Sequence, residues 1–248
     1  MKKYELTEET KVIGGKTLFR IRALRSFGGI KAGDLGGFIE NERNLSHGGN
    51  AWVGGNAEVY GNAQVVGYAQ VGGNAQVNGY AQVGGNAWVE DNAQVGGNAR
   101  VSGDAWVEDN ARVDGDAWVE DNARVDGDAW VGGYARVNGD AQVVGDARVD
   151  GNAQVGGDAW VGGNARVGGD GLINSNNDYL CEQGLGSRNR SASFFKCKDG
   201  HIHVLCGCFS GNLDEFENKV KEEHGNSKYS KEYLGFIEVV KTHFEVRQ

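Results

Sequence analysis

The sequence predicts a mainly β chain whose central half is a coil of six-residue units, and three observations lead there. Valine occupies every sixth position from Val53 to Val167, twenty times without an insertion, and Ile173 continues the series. Alanine holds a second phase from Ala51 to Ala165, also twenty times, with Gly171 in its place at the end. Glycine, at 42 residues against no proline, recurs two positions after valine and yields there only to Asp91, Asp109 and Asp121. An α-helix cannot keep this period on one face, because six residues turn it through roughly 600°. A short strand and a corner can. In Ala-x-Val the outer two side chains point one way and the middle one the other. Glycine followed by Asn or Asp then supplies the bend, since both tolerate a left-handed backbone.

The unit Val-x-Gly-(Asn/Asp/Tyr)-Ala-x resembles the hexapeptide-repeat superfamily, whose left-handed parallel β-helix builds each coil from three such units. That resemblance implies eighteen-residue coils with valine and alanine stacked inside. The stretch Lys31-Ala-Gly-Asp-Leu-Gly-Gly-Phe-Ile-Glu40, with Asn44-Leu-Ser-His47 and Gly49-Asn-Ala-Trp-Val53, is similar to the opening of YdcK-like proteins of bacteria and prophages. Those proteins carry a transferase label that comes from the shared coil, and a fold alone does not establish chemistry.

A coil of stacked strands ends in open edges, so caps are expected on both sides. Residues 1–44 read as an N-terminal β cap. Thr10 to Ile13 and Thr17 to Leu24 flank the turn Gly14-Gly15-Lys16, and Phe19, Ile21 and Ala23 alternate with Arg20 and Arg22. Residues 45–173 form the β-helix, and 174–248 a small α+β module of one hairpin and two helices. Within that module Asn174 to Arg190 is polar and reads as a loop. Ser191 to Lys198 and His201 to Phe209 flank Asp199-Gly200, a strong hairpin signal. Asn212 and Glu215 make a capping box for a helix carrying Leu213, Phe216 and Val220. A last helix places Tyr233, Ile237, Val240 and Phe244 on one side.

Composition narrows the function. The net charge of −9 argues against a general grip on nucleic-acid phosphates. The opening residues have no apolar signal core, and no eighteen apolar residues run together, so neither secretion nor membrane insertion is expected. Four cysteines, at 181, 197, 206 and 208, are too few and too bunched for a secreted disulfide scaffold, and the expected location is cytoplasmic.

Acyltransferases of the superfamily generally use a histidine beside the coils and a loop that leaves them. The stretch from Asn50 to Asp170 has neither: His47, His201, His203, His224 and His243 all lie in the flanks. His47 falls where the valine of the preceding unit would sit and is expected as a core or capping residue. The three zinc-binding histidines of γ-type carbonic anhydrases have no counterpart in the coil. Cys206-Gly-Cys208 beside His201-Ile-His203 invites a zinc reading, but alternation puts Ile202, Val204, Cys206 and Cys208 on one face and both histidines on the other. No catalytic residue, metal site or cofactor is therefore expected.

The residues between alanine and valine point outward and sort into three faces. One reads Trp52, Gln70, Trp88, Trp106, Arg124, Gln142, Trp160, which gathers four of the six tryptophans. Outward indoles are costly in water and common at interfaces, so Trp52, Trp88, Trp106 and Trp160 are the expected interaction surface. Glu90, Asp91, Glu108, Asp109 and Asp126 also stack. They read as a solvated acidic ridge, since the calcium-binding roll repeats nine residues rather than six. The reading is a non-catalytic scaffold or binding protein, self-associating or meeting a protein partner. The alternative is an acyltransferase-like enzyme with its site near the C-terminal module.

Overall fold

The computed structural model describes residues 2–245. Met1 and residues 246–248, the outermost parts of the two expected caps, lie outside the described residues. The centre is a parallel β-solenoid of two-residue rungs, from Trp52–Val53 to Leu172–Ile173, arranged in three sheets of seven rungs each. Each rung pairs with the one eighteen residues on: Val53 with Val71, Val71 with Val89, Val89 with Val107. All twenty valines and twenty alanines are buried, so the two sequence phases are the core, stacked as expected.

The corners explain the rest of the unit. Gly103 has φ +71°, and a Cβ there would lie 2.7 Å from the backbone nitrogen of Asp121 on the next coil, so glycine is needed for both conformation and space. The departures at Asp109 and Asp121, with φ of 58° and 61°, come with a compensation. Their carboxylates accept the N–H of Gly127 (3.3 Å) and Gly139 (3.2 Å) on the following coil. After the glycine, the Asn/Asp position forms ladders of its own. Asn92 donates to Asn110 (3.2 Å), Asn110 to Asp128 (2.9 Å), and Asn98 to Asp116 (2.9 Å).

Outside the paired residues, the backbone bonds between coils run one way. Trp88 N–H donates to Ala105, Glu90 to Val107 and Asn92 to Asp109, each on the next coil. The first coil is thus left with carbonyls to satisfy and the last with N–H groups.

The N-terminal cap answers the first need. Strands β1 (Tyr4–Ile13) and β2 (Lys16–Ala23) form the expected hairpin, and β3 (Leu35–Ile39) joins β2 antiparallel and the rung Glu58–Val59 in parallel. Phe38 and Glu40 donate to Ala57 and Val59, the Asn44 side chain to Ala63 (2.8 Å), and the Lys3 ammonium to Ala51 (2.6 Å). The opening turn is two residues longer than a regular coil, so Leu45, not His47, bridges to Val65 in the valine series. His47 is only half-buried. It stacks on the Tyr4 ring at 4.3 Å and accepts the Lys3 N–H, which makes it a capping residue and not part of the core.

The C-terminal module answers the second need. Asn174 to Arg190, expected as a loop, instead holds a strand, Tyr179–Leu185. It pairs antiparallel with Arg190–Lys196, which pairs with Ile202–Cys206, and a further strand, Phe209–Asn212, closes a four-stranded sheet. One sheet face, with Ala192, Phe194, Ile202, Val204 and Cys206, packs on α1 (Leu213–His224) and α2 (Lys228–His243). The opposite face sends Phe195 and Cys197 into the solenoid core. The Gly171 that ends the alanine series makes room for this, since a Cβ there would lie 3.1 Å from the Phe195 ring. Polar groups of the module close the last coil: Asn176 accepts the N–H of Trp160 (2.7 Å) and Ser193 that of Arg166 (2.8 Å).

Removing residues 174–248 should leave these N–H groups and the Val167 edge open, giving aggregation and a lower melting temperature; a monodisperse truncated chain of unchanged stability would contradict the capping role. The buried Lys3 gives a second test. Burial, then the nearby Arg25, lowers its pKa from the ordinary 10.5 to about 8. Between those values the unfolded chain holds a proton that the folded chain has released, so stability rises with pH. The melting temperature of the native chain minus that of a Lys3→Met variant should therefore climb from pH 8 to pH 10. A flat or falling difference would show that the ammonium is not desolvated.

Candidate functional site

Two regions carry exposed or convergent chemistry. The first is the outward tryptophan face, which the sheet order confirms as Trp52, Gln70, Trp88, Trp106, Arg124, Gln142, Trp160. Its four indoles are not equivalent. Trp52 is only 4% exposed, covered by the N-terminal cap with its ring edge-on to Phe27 at 5.5 Å, so it leaves the expected surface. Trp88 and Trp106 are 38% and 40% exposed, and Trp160 is 58% exposed. Trp88 and Trp106 stack with centroids 5.5 Å apart and planes 13° from parallel.

The neighbouring charges turn away from this pair. Arg124, on the next rung, forms ion pairs with Glu108 and with Asp126 (3.0 Å). The Glu90 carboxyl sits above its ordinary pKa because of burial first, then the charges of Asp91 and Glu108. The acidic ridge is thus partly neutralised by Arg124 and partly spent on corners, where Asp109 takes the Gly127 amide.

The second region lies where the last coil meets the C-terminal sheet. A cavity of about 760 Å³ opens there, lined by Asp170 of the solenoid, by Cys197, His201 and His203 of the hairpin, and by Asp214 and Glu215 at the start of α1. The Asp199-Gly200 turn sets Cys197 beside His201, with Cys197 N–H donating to the His201 carbonyl at 2.9 Å, and pairs Phe195 with His203. Cys197, His201 and His203 therefore share the solenoid-facing side, and each offers a ligand atom within 4.8 Å of the others. Cys206 is buried on the helix side, as alternation required. Cys208 is exposed in the turn after the strand, where it lines the rim of a helix-side pocket together with Cys206.

The electrostatics of this corner have clear causes. Burial, then the carboxylates of Asp199 and Asp170, pushes the Cys197 thiol up to about 11. Burial, then the neighbouring His201, lowers His203 below the ordinary histidine value. The hairpin register could have revealed this grouping from Cys197-x3-His201-x-His203 around Asp-Gly. Reading alternation along one strand only, from His201 to Cys208, hid it.

The solenoid and its stacked interior define the chain as a parallel β-solenoid repeat protein. Residues 93–108, a stretch just short of one coil, match the family model described as YdcK beta solenoid repeat. The same unit runs in register on either side, and the chain is a parallel β-solenoid repeat protein similar to the YdcK repeat over the matched residues. No curated protein matches it. Among the described residues no helix is long and apolar enough to cross a membrane.

Proposed function

We propose that this chain is a non-catalytic β-solenoid scaffold whose tryptophan face binds a second copy of itself. One contrast carries the reading. Two outward indoles are covered by side chains of the solenoid itself: Trp118 lies between the guanidinium groups of Arg100 and Arg136, at 4.9 and 4.8 Å, and Trp130 donates to Asp114 at 3.1 Å. Among the described residues, Trp88 and Trp106 have no cation over their rings and cover only each other. Paired, rigid aromatics in this state suit the centre of an interface.

The order along the sheet suits a two-fold contact. An axis between the two indoles would set Trp88 of one copy on Trp106 of the other, and Arg124 against Gln70, making a self-complementary patch. Gln is the residue this face already uses at Gln70 and Gln142, so Trp88→Gln with Trp106→Gln should leave the coil intact. Anchors of this kind typically cost about 2 kcal/mol or more each when truncated, a weakening of at least about thirtyfold per indole. Light scattering should report an oligomer for the native chain and a monomer for the double variant. A native chain that is monomeric, or a double variant that stays associated, would remove the support for this reading.

The cavity beside the C-terminal module favours a rival, an acyltransferase-like enzyme with its site at that junction. The scaffold reading expects acetyl-coenzyme A to leave the melting temperature unchanged; saturable binding that raises it would favour the rival.

A further inference from the structure

We propose that Cys197, His201 and His203 form a binding site for a divalent cation of the zinc class, with an open position facing the cavity between the last coil and the C-terminal module. This rests on different residues from the tryptophan face and stands or falls separately from it. One thiol and two imidazoles are the donor set that suits zinc and its borderline neighbours better than calcium or magnesium, which take oxygen ligands.

The hydrogen bonds around the cluster already match those of a metal site. His201 Nδ1 lies 2.5 Å from the Asp199 carboxylate, and His203 Nε2 lies 2.9 Å from the Ser210 hydroxyl. These contacts fix both rings and leave His201 Nε2 and His203 Nδ1 as the nitrogens available to a cation. A carboxylate or hydroxyl on the far nitrogen is the usual device for orienting a ligating histidine. The two lysines that flank the thiol are engaged elsewhere: Lys196 pairs with Asp178 at 2.9 Å and Lys198 donates to the Asn152 carbonyl at 3.0 Å.

The distances are compatible with binding after a small closure. Zinc bonds of about 2.0–2.3 Å put tetrahedral donors roughly 3.5 Å apart, against the 4.8 Å limit within which one donor atom from each of the three residues lies. The Cys197–His201 backbone bond holds the two arms of the hairpin together, and a small inward shift of the exposed His201 with its Asp199 partner closes the site. Three protein ligands leave a fourth position, and the cavity with Asp170 on its wall lies on that side. A site of this form binds one further oxygen or nitrogen ligand from water, a carboxylate or a small molecule.

The test is cobalt binding by the chelator-treated full-length chain. After gel filtration it should retain one equivalent of Co²⁺ per chain and show a thiolate-to-cobalt charge-transfer band. His201→Ala, at an exposed position that leaves the core intact, should lose at least tenfold in affinity. Cys197→Ser should lose the band, while Cys206→Ser and Cys208→Ser should keep it. Circular dichroism would confirm that each variant is folded. Absence of retained cobalt in the native chain, or a band that survives both Cys197→Ser and His201→Ala, would overturn the proposal. So would a band lost only in the Cys206 or Cys208 variants.

Discussion

The structure depends on one interaction, the backbone hydrogen bond from a residue to the carbonyl seventeen positions ahead, repeated from coil to coil. A two-residue rung has little to pair with sideways, and a core of valine and alanine offers small side chains. Stacking makes up the difference, because every coil presents its backbone to two neighbours and is supported by both. The period of six follows from this constraint. A rung, a corner that can take positive φ, and an inward alanine are the least that lets the same groups recur one above another. The polarity of the bonds then dictates what must stand at each end: donors such as Lys3 and the Asn44 side chain below the first coil, acceptors such as Asn176 and Ser193 above the last.

The same repetition governs the surface. Any side chain placed outward meets the outward side chain of the next coil, about 4.8 Å away, so the outer positions become ladders whether or not they serve a partner. The column through Asn74, Asn92 and Asn110 is satisfied internally, each of these amides donating to the residue on the next coil. Trp118 and Trp130 are satisfied by arginine and aspartate. Against that background, the exposed Trp88, Trp106 and Trp160 stand apart on the shaft, the first two as a stacked pair, and the Cys197 cluster is their counterpart at the cap.

How much could be read from the sequence follows from the same physics. The rungs, the interior and the three outer faces were legible because a strict period leaves one register. The hairpins at Gly14-Gly15 and Asp199-Gly200 and the Asn212–Glu215 capping box were legible because local turn chemistry decides them. What was hidden depends on contacts between distant segments. Trp52 repeats the pattern of Trp88, yet is buried because the N-terminal cap folds over it. His47 keeps the six-residue phase, but the longer opening turn gives its place to Leu45. Tyr179–Leu185 lies between the polar, turn-rich stretches 174–178 and 186–190, and becomes a strand because Arg190–Lys196 offers an edge. The Cys197 grouping needed the pairing of two strands, which no single-strand pattern carries.

The central claim is that the coil-to-coil ladder runs unbroken from cap to cap, and amide hydrogen exchange resolved by residue in the intact chain tests it most directly. The amides of Trp88, Trp106 and Arg124, bonded to the alanine of the next coil, should exchange slowly and together. Those of Trp160 and Arg166, held by side chains of the C-terminal module, should share that protection. Exchange at Trp160 and Arg166 as fast as in an exposed turn, with the central coils still protected, would contradict the account by showing that the ladder ends in open amides.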